Sequence, residues 1–251
     1  MTLLEALAVL AAGVGAGTIN AAVGSGTLIT FPVLLAVGYP PVVANVSNTI
    51  GLVPGSVTGA IGYRRELRGQ GGRLRRLVPA SALGGIGGAV ALLTLPDNLF
   101  EAIVPVMIAV ALALIVFQPR LSALVARHRP QGHEHATWLW LATFACGVYG
   151  GYFGAAQGII LISLFAVAIG DELQRLNGLK NVLAGLVNLI AGVVFIFAAD
   201  VAWGPVALIA VGSLMGGALG ARYGRRLPPN ILRALIVVVG LFAIGRLLIW
   251  G

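Results

Sequence analysis

From Leu3 to Val37 the chain carries a single charged side chain, Glu5. A helix over those positions, rising 1.5 Å per residue, would measure about 52 Å against a hydrocarbon core of about 30 Å. One straight span cannot absorb that length. The tract is interrupted at Gly24-Ser25-Gly26, with Asn20 before the interruption and Thr27 after it. Broken there, it becomes two shorter helices that enter and return to the same face. A broken helix is tolerated in lipid only where its freed backbone groups face protein or a polar cavity, so the break marks a binding site.

A second tract of the same kind runs from Thr137 to Ile169, with Gly150, Gly154, Gln157 and Gly158 near its middle. Sliding the sequence by 132 positions lays Gly26 on Gly158, Ser25 on Gln157, Gly38 on Gly170 and Asn45 on Asn177. The same shift pairs Gly84, Gly85 and Gly88 with Gly216, Gly217 and Gly220, and Pro96 and Asn98 with Pro228 and Asn230. Glycine matches come easily in this composition; the proline and asparagine matches do not. The chain reads as two tandem halves of one unit: 1–117, a linker at 118–136, and 137–251.

Hydrophobic residues make up 59% of the chain and charged residues 10%, with a mean hydropathy of +0.98. That leaves too little polar surface to cover a soluble globule, so the chain reads as an integral membrane protein. No basic-flanked leader with a small-residue cleavage site precedes the first tract. Its net charge of +8 would suggest nucleic acid in a soluble protein. Here the arginines sit in short loops, where orientation and anionic headgroups explain them and nucleic acid is not expected. Cys146 is the one cysteine, which excludes an internal disulfide and a cysteine-based metal site and reads as packing.

Between the breaks the apolar pattern predicts helices over 42–63, 77–95 and 99–117 in the first half. The second half gives 176–198, 205–221 and 230–250. If each broken tract returns to its own side, the loops at 64–76, 118–136, 170–176 and 222–233 share a face. Those loops hold every arginine except Arg246, and arginine collects on the cytoplasmic side. If each tract crossed once instead, the Arg222–Arg226 cluster would face outward. The return model therefore wins, and three further crossings per half invert the second half relative to the first. The expected fold is all-α: two inverted repeats, each a broken or re-entrant helical hairpin followed by three transmembrane helices.

The candidate binding residues follow from this. Asn20, Gly24, Ser25, Gly26 and Thr27 line the first break; Gly154, Gln157 and Gly158 line the second. Unpaired amides at a half-helix N-terminus favour an anion. Asn45, Ser47, Asn48 and Thr49 begin the next helix, and Asn177, Lys180 and Asn181 occupy the matching positions. Ordinary capping by asparagine is the plainer reading, yet four polar residues in five positions exceed what one cap needs. Lys180, the only lysine, either snorkels to the interface or stands as a compact positive charge beside the substrate. Asn188 extends the polar line into the membrane. Gly84, Gly88, Gly216, Gly220 and Gly224 read as helix packing. The run Gly147, Gly150, Gly151, Gly154 and Gly158 serves either packing or exposure of backbone to a ligand. His128, His133 and His135 read as a solvated linker rather than a metal site. Glu101 and Asp200 read as interfacial, and no carboxylate lies clearly at mid-membrane to couple protons.

The paired Gly-rich breaks at Gly17–Pro32 and Gly147–Gly158, each followed by the Gly38 or Gly170 turn and a polar helix start at Asn45 or Asn177, resemble the sulfite exporter TauE/SafE family of bacterial membrane permeases. The layout covers nearly the whole chain, while its motifs are mostly Gly, Asn and Pro. The resemblance implies a multi-pass protein of the cell inner membrane that exports sulfite or a small organosulfonate. Spacing and charge alone imply a small anion. The partners expected are that anion, the lipid bilayer and, as an option, a second copy of the chain; no cofactor is expected. A passive anion channel shares the same lining. An intramembrane enzyme needs clustered His, Asp or Glu within the spans, and all three histidines lie in the linker.

Overall fold

A computed structural model describes residues 1–127, 137–223, 234, 236–242 and 244–245. The described residues form helices and turns, with no strand. The first tract is α1 (Leu3–Ala22) and α2 (Thr27–Val37), followed by α3 (Pro41–Gly62), α4 (Gly71–Thr94) and α5 (Asp97–Arg127). The second is α6 (Thr137–Tyr152) and α7 (Gln157–Ala168), followed by α8 (Leu173–Ala198) and α9 (Trp203–Tyr223). Residues 236–242 are helical and lie within the expected 230–250 helix; the rest of that helix is largely outside the described residues. So are the three histidines of the linker, along with Gly224.

Both tracts break where the sequence puts the glycines, and by one mechanism. Gly24 (φ 95°) and Gly154 (φ 75°) take the left-handed backbone that ends a helix without a Cβ penalty. Their amides reach back to the carbonyls of Ile19 and Tyr149 at 3.0 and 3.1 Å. The 132-residue shift is thus two positions off at the breaks, where Gly24 corresponds to Gly154 and Thr27 to Gln157. It holds again at Pro41 and Leu173, which open α3 and α8.

Three boundaries differ from expectation. α4 starts at Gly71, six residues before Leu77, because the Gly71-Gly72 pair that reads as loop is the first turn of the helix. α5 runs on to Arg127, so the first part of the expected linker is helical. α8 starts at Leu173 after the short Gly170–Glu172 turn.

Small residues set the packing. Gly84 lies against Gly147 and Gly88 against Gly151, so α4 and α6 run the same way in close approach. Gly13 lies against Ile209 and Gly17 against Ser213, which aligns α1 with α9. α3 also runs with α9, Gly51 against Ile209 and Gly55 against Ser213, while its bonds through Tyr63 to Asn177 and Ser56 to Asn188 make it antiparallel to α8. Each helix that carries a break therefore lies along a helix from the other half.

The two ends of the bundle differ in charge. At one end Arg73 of α4 bonds Asp171 before α8, and Arg175 joins the same carboxylate at 2.9 Å. At the other end Pro40, Asp97, Glu101 and Asp200 surround a cavity of about 200 Å³. α1 and α2 leave and return to this acidic end; α6 and α7 leave and return to the basic one. Five described helices are long and apolar enough to cross a membrane. Their outward faces carry exposed Phe197, Val106, Val110 and Val211, a surface suited to acyl chains rather than water. α3 is not one of the five because Asn45, Ser47, Asn48, Thr49, Ser56 and Thr58 dilute its apolar content. It is a core helix, with a run from Ala44 to Leu52 wholly buried.

Candidate functional site

The two breaks meet inside the bundle. The Gly158 amide donates to the Gly24 carbonyl at 3.0 Å, and a Cβ added to either glycine would lie 2.5 Å from the other's Cα. Lys180 completes this junction, since its Cδ would stand 3.0 Å from a Cβ on Gly158. Its side chain is fully buried and does not reach the interface. Nζ donates to the carbonyls of Asn20 and Ala21 at 3.1 and 3.4 Å, and Asn181 Nδ2 donates to Ala21 at 3.1 Å. These carbonyls are among the last of α1, left unpaired by the break, and a cation there is favoured by the helix dipole. No carboxylate pairs with Lys180 among the described residues.

The end of α6 is held in the same fashion from the opposite half. Asn45 Nδ2 donates to the carbonyl of Tyr152, the last residue of that helix, at 2.9 Å. Capping of its own helix does not explain Asn45, because the residue before α3 is Pro40 and no side chain caps that start. Each broken helix is thus closed at its end by the first long helix of the other half.

Beyond Gly24 the chain enters α2 with its amides free. Among the described residues the N–H groups of Ser25, Gly26 and Thr27 have no hydrogen-bond partner. Ser25 is 1% exposed and its hydroxyl is also without one. Asn48 holds this start in place: its Nδ2 donates to Thr27 Oγ1 at 3.3 Å, and its Oδ1 accepts from Thr30. Three amides, a hydroxyl and a helix N-terminus form the usual setting for an anion.

The second break is filled by its own groups. Gln157 Nε2 turns back to the Cys146 carbonyl at 3.4 Å, with its side chain packed over Gly150, and its amide donates to Gly154. Gly147 and Gly151 of that glycine run pack on α4, while Gly154 makes the break and Gly158 meets Gly24. Cys146 is buried among Leu139, Leu161 and Phe165, as a packing residue should be.

The remaining candidates lie apart. Thr49 bonds the Asn45 carbonyl of its own helix at 2.9 Å. Asn177 donates to the Tyr63 hydroxyl at 2.8 Å, nearer the basic end, with its Oδ1 unpaired. Ser47 accepts from the Ala202 amide at 3.0 Å and so fixes the turn before α9. Asn188 does extend the polar line: it and Asn20 both donate to Ser56 Oγ, at 3.4 and 3.5 Å. Thr30, Ser56, Tyr63 and the Tyr152 carbonyl were not singled out in the sequence. A lone hydroxyl in an apolar helix carries no signal that separates it from one that bonds its own backbone.

Outside the spans, Asp171 faces two guanidinium groups. Burial raises its carboxyl, but hydrogen bonds from Arg73 and Arg175 outweigh this and hold it below the ordinary value.

Comparison with known proteins agrees in scope with this architecture. The model of a family described as "Sulfite exporter TauE/SafE" matches residues 9–247. "Probable membrane transporter protein YfcA" of Escherichia coli (strain K12) is 24% identical over 93% of this chain and 86% of its own length. "Probable membrane transporter protein ORF9" of Sinorhizobium sp is 26% identical over 93% and 88%. A "Probable membrane transporter protein" of Haemophilus influenzae is 23% identical over 97% and 95%. No solved structure matches significantly.

Proposed function

The chain belongs to the sulfite exporter TauE/SafE family and is a multi-pass membrane transporter; from that premise we propose that it exports a small sulfur-containing anion, sulfite or an organosulfonate, across the cell inner membrane by alternating access. The observation that carries this reading is the start of α2. There the free amides of Ser25, Gly26 and Thr27 and the unpartnered Ser25 hydroxyl lie one residue from the Gly24–Gly158–Lys180 junction. A buried ammonium without a carboxylate is costly, and so is a buried hydroxyl without a partner. A small oxyanion satisfies both at once, its oxygens taking the amides and its charge offsetting Lys180.

Residues 1–117 and 137–251 act as inverted repeats, with 118–136 as a cytoplasmic linker and the basic end of the bundle inward. The reciprocal pairing of α1 with α9 and α6 with α4 supports that reading, as do the two breaks entering from opposite ends. Rocking one half against the other would uncover the junction to each side in turn. One copy contains both breaks, so a homodimer would hold two complete sites.

Sulfite counterflow in proteoliposomes tests this. A carrier loads labelled sulfite faster when unlabelled sulfite waits on the far side, and the rate saturates. A rate that grows linearly and ignores the far side would make the protein a channel. No sulfite flux, with taurine or sulfoacetate carried instead, would replace the substrate.

A further inference from the structure

We propose that the cleft between the basic ends of α3 and α9 is a binding site for the phosphate headgroup of an anionic membrane glycerophospholipid. Arg64 and Arg65 follow the Tyr63 cap of α3, and Arg222 stands in the last turn of α9. Because α3 and α9 run parallel with Gly62 against Ala221, these ends arrive together. They border an open cavity of about 820 Å³.

Three features give this cleft its ligand. The first is charge: among the described residues Arg64, Arg65 and Arg222 line it with Glu66 as the one acidic residue, the Arg222 guanidinium lies over the Tyr223 ring, and no ion pair engages these three arginines. The basic residues nearby behave differently, since Arg73 and Arg175 are tied to Asp171. Guanidinium forks match phosphate oxygens, and several around one cleft hold it far better than a single charge.

The second feature is shape. Gly62, Ala218 and Ala221 leave the cleft without bulk, while Ile61 beside them and Val57, Leu214 and Leu219 along the same helices are exposed and apolar. A headgroup at the arginines would therefore continue into an acyl chain along α3 and α9. Free phosphate would have no use for that apolar lane.

The third feature is contrast. The cavity at the opposite end of the bundle is lined by Asp97, Glu101 and Asp200, which repel an anion. Cationic groups between transmembrane helices at one face, beside a lipid-exposed seam, are the expected build of a headgroup site.

The test uses the purified full chain in a neutral detergent and measures its thermal unfolding with phosphatidylglycerol, phosphatidylcholine or inorganic phosphate added. Phosphatidylglycerol should raise the midpoint and the other two should not. In the Arg64→Gln, Arg65→Gln, Arg222→Gln triple variant the lipid concentration needed should rise roughly a hundredfold, each charge contributing about fivefold. Ala218→Leu, which fills the cleft at an exposed position and keeps every charge, should also weaken the lipid effect. It provides the result if the triple variant does not fold. Equal response of both variants and parent would overturn the site. A shift by inorganic phosphate equal to that by the lipid would replace the headgroup with a free anion. Neither result touches sulfite counterflow, which depends on a different part of the molecule.

Discussion

Lys180 has three N–H donors, and two are directed at the carbonyls that end α1. On the proposed reading the charge and the third donor serve the anion. Replacing Lys180 with Gln keeps a donor for a carbonyl while removing the charge. Its stability should drop by only about 1 kcal/mol, the worth of one hydrogen bond, whereas sulfite binding should weaken roughly tenfold or more. Arg should not rescue it, because the larger planar fork does not fit a fully buried place against Gly158. Parental affinity in Lys180→Gln, read by radiolabelled sulfite binding, would reduce the residue to a helix cap. Ser25→Ala gives the converse test. Its hydroxyl has no partner among the described residues, so thermal stability should hold or rise while sulfite affinity falls. A loss of stability without a loss of affinity would mean the hydroxyl is structural. Lys180 was legible because it is the chain's only lysine in an apolar run. The hydroxyls of Thr30 and Ser56 were not, since Ser163 in a like setting simply bonds its own helix at 2.8 Å.

The breaks are elements whose geometry depends on single backbone positions. Gly24→Ala forces a side chain into a left-handed backbone, at a cost of order 1–3 kcal/mol, and sets its Cβ against the Gly158 backbone. It should unfold several degrees earlier and transport poorly; parental behaviour in both assays would show that the breaks do not need this close approach. The turn before α8 adds a pH test. With its carboxyl held below the ordinary value of about 3.9, Asp171 stabilises the fold fully above about pH 5 and loses that contribution as pH falls through its depressed value. The gap in unfolding midpoint between the parent and Asp171→Asn should thus be constant at neutral pH and close on acidification below about pH 4. A gap that persists there would assign the effect to packing. Both breaks could be read in the sequence because glycine beside polar residues is costly in an apolar helix without a reason. The start of α4 could not, because Gly71 and Gly72 carry the composition of a loop while Gln70, tied to the Arg175 carbonyl at 2.8 Å, fixes the helix entrance from another element. That bond is tertiary, and no local pattern announces it.

At the scale of the molecule, the halves are interlocked rather than merely adjacent. Lys180 and Asn181 close α1 from the second half, and Asn45 closes α6 from the first. Under the proposed alternating access, motion of one half against the other would have to break or carry these bonds. Orientation can be tested independently: in a Cys146→Ala background, cysteines at Gly71 and Tyr223 should be labelled from the same, cytoplasmic side, and one at Asp200 from the other. Labelling of Gly71 and Tyr223 from opposite sides would end the inverted arrangement. The matched positions Pro228 and Asn230 lie outside the described residues, and the way α3 and α8 cap the two broken helices could not be read from the sequence, because it depends on which backbone carbonyls the breaks leave free. One anion is expected to bind where α2 begins. Selenite, the heavier analogue of sulfite, allows that to be seen by anomalous diffraction from crystals of the protein. A single strong peak is expected within hydrogen-bond reach of the Ser25, Gly26 and Thr27 amides and near Lys180 Nζ; a peak elsewhere in the bundle, with that turn empty at saturating selenite, would rule out binding there.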